Sequence, residues 1–217
     1  MTISFASFAQ NKDVTTFLGI PVDGTVSSMK QKLVSKGFVP KKVGTKECLE
    51  GRFNGCDVIV SICTNKNKVY RIFLADKNTM DEAQIKIRFN NLVKQFVNNI
   101  RYIPLDNFTL SDEEDISYEM TVHNKIYEAL FYQFPNEESL TLASQKAHNE
   151  LLSKYTEAEL KNPSEEITKE IQNTKRKIAM DFMFMKPVWF RIGESYGEYY
   201  IDMYYDNVYN QANGEDL

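Results

Sequence analysis

The chain is short of the residues that most often announce a chemistry. Its 217 residues include two histidines, His123 and His148, one tryptophan, Trp189, and three cysteines, Cys48, Cys56 and Cys63. An odd cysteine count is no disulfide framework, and without a C-x-x-C pair there is no zinc-ribbon pattern. His148 falls in a helical stretch with no second ligand four residues on, and His123 falls at a turn, so neither reads as a zinc site. Walker A and dinucleotide fingerprints are missing, and the sequence implies no cofactor. The net charge of −4 gives no basic footprint for nucleic acid. The longest apolar runs are too short to cross a bilayer. The ending DNVYNQANGEDL is rich in Asp and Asn but lacks calcium-loop spacing.

What is present is ordinary globular composition, 42% apolar and 26% charged, over a length sufficient for one compact domain or two closely packed lobes. Twelve Tyr and fourteen Phe favour β-sheet, where aromatic side chains pack well. At the start, MTISFASFAQ places Ser7 and Ala9 at the −3 and −1 positions of a signal-peptidase site. Residues 1–9 then read as a truncated signal-peptide remnant without its basic region. The expected location is the periplasm or cell surface. An ordinary apolar N-terminus in a cytoplasmic protein is the alternative.

Along the chain, FLGIPVDGTVSSMKQKLVSKGF reads as an extended entry, a turn and a helix with Thr25 as N-cap. Strands ECLEGRF and CDVIVSICT flank Asn54-Gly55, a two-residue hairpin signal, and VYRIFLAD follows. That register sets Arg52 opposite Asp57 and Leu49 opposite Val60. The middle strand is apolar on both faces, which predicts cover on both sides. Thr79 and Glu82 suggest a capping box for a helix carrying Ile85, Phe89, Leu92 and Phe96. Beyond Pro104, ISYEMTV and KIYEALFYQF read as a hairpin. Two helices follow, the second capped by Asn162, and then a last hairpin.

The expectation is an α+β fold of antiparallel hairpins packed with about four helices. Residues 10–103 form a β-α-β-β-β-α half and residues 104–217 a β-β-α-α-β-β half. Val58, Val60, Ile62 and Tyr70 recur at the spacing of Val188, Phe190, Ile192 and Tyr200. A duplication is one reading of this echo, and the repetition that any alternating hairpin gives is the other.

Three arrangements could carry chemistry. GESYG fits the G-x-S-x-G nucleophile elbow, which would make Ser195 a catalytic serine. An elbow needs a helix after the serine and a histidine downstream. Here a period-two strand follows, and both histidines lie upstream. With Tyr196-Gly197 as a hairpin turn, Ser195 faces Glu198, Ile192 faces Ile201, Phe190 faces Met203 and Val188 faces Tyr205. On the other side Arg191 faces Asp202 and Trp189 faces Tyr204. Every position then has a sensible partner. A Cys63–His148 dyad is the second arrangement, set against a strand cysteine acting as a small hydrophobe. Cys48 and Cys63 share a sheet face as diagonal neighbours, a spacing longer than a disulfide usually allows; a bridge formed after a register slip in an exported chain is the alternative.

The third is a surface. With Val188, Phe190, Ile192, Ile201 and Met203 turned to the core, Trp189, Arg191, Tyr200, Asp202 and Tyr204 share the other face. Trp and Tyr beside Arg is the composition of a recognition patch. The competing reading is a second core, with a helix or the N-terminal half covering that face.

FLGIPVDGT with SSMKQKLVSKGF, LEGRF with VYRI, and the ending YYIDMYYDNVYNQANGEDL resemble a family of uncharacterised exported proteins of Gram-negative gut anaerobes. That resemblance implies export and carries no activity or catalytic residues. Helix-then-antiparallel-strand units opening on Gly-Thr also look like β-lactamase-inhibitor-like folds, which are binding or assembly modules. Together these lead to a non-enzymatic exported binding module whose partner is a protein or small molecule. The rivals are a hydrolase assembled only in three dimensions and a small-molecule or lipid carrier with an enclosed cavity between its halves.

Overall fold

The computed structural model describes residues 12–212 and 214. The signal-peptide reading of residues 1–9 lies outside them. A short hairpin, β1 (Thr16–Phe17) and β2 (Ile20–Pro21), leads into α1 (Val26–Ser35). The strands β3 (Val39–Val43), β4 (Lys46–Phe53), β5 (Cys56–Asn65) and β6 (Lys68–Asp76) follow. Next come α2 (Glu82–Val97), β7 (Tyr102–Pro104), α3 (Ile116–Val122) and β8 (Glu128–Gln133). Three helices, α4 (Glu137–Leu152), α5 (Glu157–Lys161) and α6 (Glu165–Met183), separate β8 from the closing hairpin of β9 (Pro187–Ser195) and β10 (Glu198–Asp206).

The fold is α+β. Eight strands form one antiparallel sheet in the order β3-β4-β5-β6-β10-β9-β8-β7. The order is symmetric about the central β6–β10 pair. A helix followed by four strands occurs twice, α1 with β3–β6 and α2 with β7–β10. The topological repeat therefore divides between β6 and α2, and β5–β6 and β9–β10 occupy equivalent places in the two units. The second unit also carries α3 and, between β8 and β9, α4–α6.

One face of the sheet holds the main core. Leu49, Val58, Val60, Ile72, Leu74, Ala129, Phe131, Val188, Phe190, Ile192, Ile201, Met203 and Tyr205 project from it and are buried. Met29 and Leu33 of α1, Ile85, Phe89, Leu92 and Phe96 of α2, and Ile116 of α3 close over them. The helix stripes recur every three or four residues, so each helix turns one apolar side to the sheet. Phe190 lies at the centre of an aromatic cluster, 5.1 Å from Phe89, 5.7 Å from Phe96 and 6.0 Å from Phe131 between ring centroids. A buried ion pair, Arg88 to Asp76 at 3.1 Å, ties α2 to the end of β6, and Arg88 also donates to the Asn54 carbonyl. The helices α4 and α6 pack on each other through a separate small cluster of Ala143, Ala147, Ile178 and Phe182.

Both hairpin registers follow the alternation. Leu49 pairs with Val60 and Arg52 with Asp57. Ser195 pairs with Glu198, Arg191 with Asp202 and Trp189 with Tyr204. Other local readings are corrected. ISYEMTV is the helix α3, because the Asp115 side chain accepts the Tyr118 N–H and caps it, so no hairpin forms around His123-Asn124. The second half thus opens with the three-residue β7 and then a helix. The capping box of α2 is Asp81 with Gln84, and Thr79 instead donates its hydroxyl to Glu198. Ser164, not Asn162, caps α6. β5 is buried on the core side only, since Ile59 on its other face is half-exposed.

Candidate recognition face

The second face of the sheet carries no member of either buried apolar cluster found among the described residues. Ile59, Ser61 and Cys63 of β5, Phe73 and Ala75 of β6, Trp189 of β9, Tyr200 of β10, and Leu130 and Tyr132 of β8 are all half-buried there, and Arg191 and Glu128 are exposed. The face is covered in part: Asp202, Tyr204 and Asp206 are buried on it, and Phe184 at the end of α6 meets the Tyr132 ring at 4.9 Å. The five residues singled out in the sequence, Trp189, Arg191, Tyr200, Asp202 and Tyr204, all project from it, as the register requires.

Their geometry is tight. The Trp189 and Tyr204 rings stack across the β9–β10 pair, with centroids 3.8 Å apart and planes 10° from parallel. Tyr204 also meets Phe73 at 5.1 Å. With ring neighbours on both sides Tyr204 is 7% exposed, so of the two aromatic side chains Trp189 is the accessible one. The neighbours that cover Tyr204 are themselves sheet residues.

Strand β6 contributes a residue that the hairpin pattern could not reveal. Arg71 pairs with Asp206 through two parallel bonds, Nε to Oδ1 at 2.6 Å and Nη2 to Oδ2 at 2.8 Å. Its guanidinium carbon lies 4.8 Å from the Tyr204 ring and 5.6 Å from the Trp189 ring. Trp189 Nε1 donates to Asp206 Oδ2 at 3.1 Å. One carboxylate thus orients both the cation and the indole, and planar bidentate pairing is what a guanidinium does better than an ammonium. The hydrogen bonds that Arg71 donates to Asp206 hold its pKa above the usual value.

A second pair lies one step toward the hairpin tip. Arg191 Nη2 is 3.5 Å from Asp202 Oδ2, and its guanidinium carbon is 5.9 Å from the Tyr204 ring. Tyr204 donates to Asp202 Oδ2 over 3.4 Å. Burial raises the Asp202 pKa, and the neighbouring Arg191 only partly offsets this. Arg191 keeps 44% of its side-chain surface, so it is the outward-facing charge of the group. Beyond it the Tyr200 ring lies flat across Gly193, where an added Cβ would come within 2.5 Å of Cζ. A side chain at residue 193 would push that ring away. At the tip, Tyr196 and Gly197 both have positive φ, 55° and 79°, as a type I′ turn needs, and Tyr196 is fully exposed.

The other candidates stand apart from this face or are inert on it. Ser195 ends β9, and the Gly197 N–H is satisfied by Glu194 Oε1 at 2.6 Å, which closes the turn. His123 is held by Glu119 at 2.9 Å and touches the Tyr118 ring edge-on. His148 lines a cleft between the insert helices with Glu157, Lys161 and Lys175. Cys63 shares the open face, and burial raises its thiol pKa, which disfavours the nucleophilic thiolate. All three cysteines are free thiols. Among the described residues there is no group of three or more His, Cys, Asp or Glu positioned to hold a metal, and no helix is long and apolar enough to cross a membrane.

Arg71, Phe73 and Asp206 were not singled out from the sequence. Arg71 and Phe73 sit more than a hundred residues from Trp189, and only the β6–β10 pairing, Asp206 with Arg71 and Tyr204 with Phe73, brings them together. Alternation in VYRIFLAD does put Arg71 and Phe73 on one face, the only local signal available. No protein family, curated protein or solved structure matches the chain.

Proposed function

We propose that this protein is a non-enzymatic binding module that works after export, in the periplasm or at the cell surface, and that its partner docks on the open face of the β6–β10–β9 strands. The observation that carries the reading is the Trp189–Tyr204 stack held between Arg71 and Arg191 on a sheet face without a buried apolar cluster. Hot spots of protein interfaces are enriched in Trp, Tyr and Arg that are already locked in place by their neighbours. Asp206 and Asp202 do that locking here, so little side-chain entropy is left to lose on binding. An antiparallel sheet with one face packed and the other wet is stable as it stands. Trp189 and Arg191, which stay accessible on that face, are the groups it offers a partner. Export rests on Ser7 and Ala9 and on the resemblance to exported proteins.

The test is recovery of a partner from the native envelope fraction by the mature protein and by a Trp189→Ala, Tyr204→Ala double variant. Retention at fixed stoichiometry by the first and loss by the second, with circular dichroism showing both folded, supports the reading. Equal retention by the two places the binding site elsewhere. Sequencing the N-terminus of protein from the periplasm tests export separately. Loss of residues 1–9 is expected, and an intact cytosolic chain overturns it.

A further inference from the structure

On the helix-bearing side, remote from the Trp189 face, a cleft of about 540 Å³ opens between the β1–β2 hairpin, the end of α2 and the β7–β8 edge. Small-molecule sites commonly occupy about 300–1,000 Å³. Its buried lining combines the rings of Phe96 and Tyr205 with Lys186 and with Gln133, whose polar atoms are internally satisfied. Gln133 Oε1 accepts the Thr16 N–H at 2.8 Å, and its Nε2 donates to the Thr16 carbonyl at 2.7 Å and to Tyr102 Oη at 3.2 Å. Its mouth is apolar and wet: Ile100 is 94% exposed, Phe134 50% and Leu18 39%. Three large apolar side chains exposed around one opening are more than scattered surface hydrophobes. Leu18 is held there at φ 51°, a conformation unusual for a residue of its size.

The charge of the lining is one-sided. No Asp or Glu lines the cleft, and its two cations are Lys186 and Arg101. Lys186 is neutralised by Asp13 at 2.7 Å. Arg101 is fixed through its backbone, with its N–H on Asn99 Oδ1 at 3.1 Å and its carbonyl accepting the Phe134 N–H at 2.8 Å. Its guanidinium has no hydrogen bond, ion pair or ring contact among the described residues. An anchored backbone with a free cation beside apolar walls fits a ligand with one anionic head and an apolar tail. We infer that this cleft binds small amphipathic carboxylates, with Arg101 on the head and Leu18, Ile100 and Phe134 on the tail.

Calorimetric titration of the full chain with octanoate, octan-1-ol and acetate tests this. Octanoate is expected to bind saturably at one site, with the alcohol and acetate each roughly tenfold or more weaker, as loss of a charged hydrogen bond or of the tail implies. Arg101→Ala should weaken octanoate by roughly tenfold or more, and Phe134→Glu should abolish it. Trp189→Ala should leave it unchanged, which separates this site from the recognition face. Backbone amide resonances of Leu18, Ile100 and Phe134 should shift during the titration, a readout that does not depend on a variant folding. Absence of saturable octanoate binding, an Arg101→Ala variant that binds it equally, or shifts confined to the Trp189 face would each overturn the inference.

Discussion

The two faces of the β9–β10 hairpin use the same alternation to different ends. On one, Val188, Phe190, Ile192, Ile201 and Met203 are buried against α2 and its neighbours. On the other, Trp189, Arg191, Asp202, Tyr204 and Asp206, with Arg71 of β6, form a stack and two ion pairs in which Tyr204 and both carboxylates are buried while Trp189 and the two guanidiniums reach solvent. The first face draws its stability from apolar area removed from water. The second gains much less, because partly exposed ion pairs and edge-wet aromatics trade one set of good contacts for another. Position-by-position substitution across the hairpin should therefore split into a large structural effect on one face and a small one on the other.

The largest loss should come from the core face. Phe190→Ala removes a ring packed on three others and is expected to cost about 3–5 kcal/mol, read as a lowered urea midpoint. On the open face Asp206→Ala leaves Arg71 and the Trp189 N–H without their acceptor. With Arg71 retaining 26% of its side-chain surface to hydrate, the cost should be near 2 kcal/mol, together with a change in Trp189 emission. An open-face substitution as damaging as Phe190→Ala would erase the distinction between the faces.

A smaller effect is expected at Asp202, and its sign is fixed. Its pKa in the folded chain is raised above its ordinary 3.8, mainly by burial. Between those two values the folded state keeps a proton that the unfolded state has released, so stability falls as pH rises through that window. Asp202→Asn should remove that part of the slope, with urea titrations from acid to neutral pH as the measurement. A slope that steepens, or reverses to favour high pH, contradicts the burial argument. The smallest expected effect has the opposite sign. Tyr196 holds positive φ where Asn54 and Asn67 hold it at other turns, and Asn is better suited to it. Tyr196→Asn should raise stability by about 1 kcal/mol or less.

How much of this was legible in the sequence follows from range. The last hairpin could be read residue by residue, because alternation over nine positions and a Gly at the turn determine a single register. Helices α1 and α2 had clear stripes. ISYEMTV was misleading, since Ile, Tyr, Thr and Val are strand formers, yet the Asp115 cap decides a seven-residue helix. β3 carries no buried residue and β7 has three residues, too little pattern for either to be seen. The site was half visible: Trp189, Arg191, Tyr200, Asp202 and Tyr204 lie on one hairpin, while Arg71 and Phe73 arrive through a pairing between strands far apart in sequence. No local signal fixes which strand adds to the outside of a hairpin.

The central claim is that the face bearing Trp189 is the one that meets a partner. A photo-crosslinking amino acid placed at exposed Arg191, with the same group at exposed Lys32 of α1 as the comparison, tests it in the native envelope. The account predicts a discrete adduct of one partner from residue 191, lost in the presence of excess unlabelled protein, and none from residue 32. An adduct from residue 32 with none from residue 191 would contradict it.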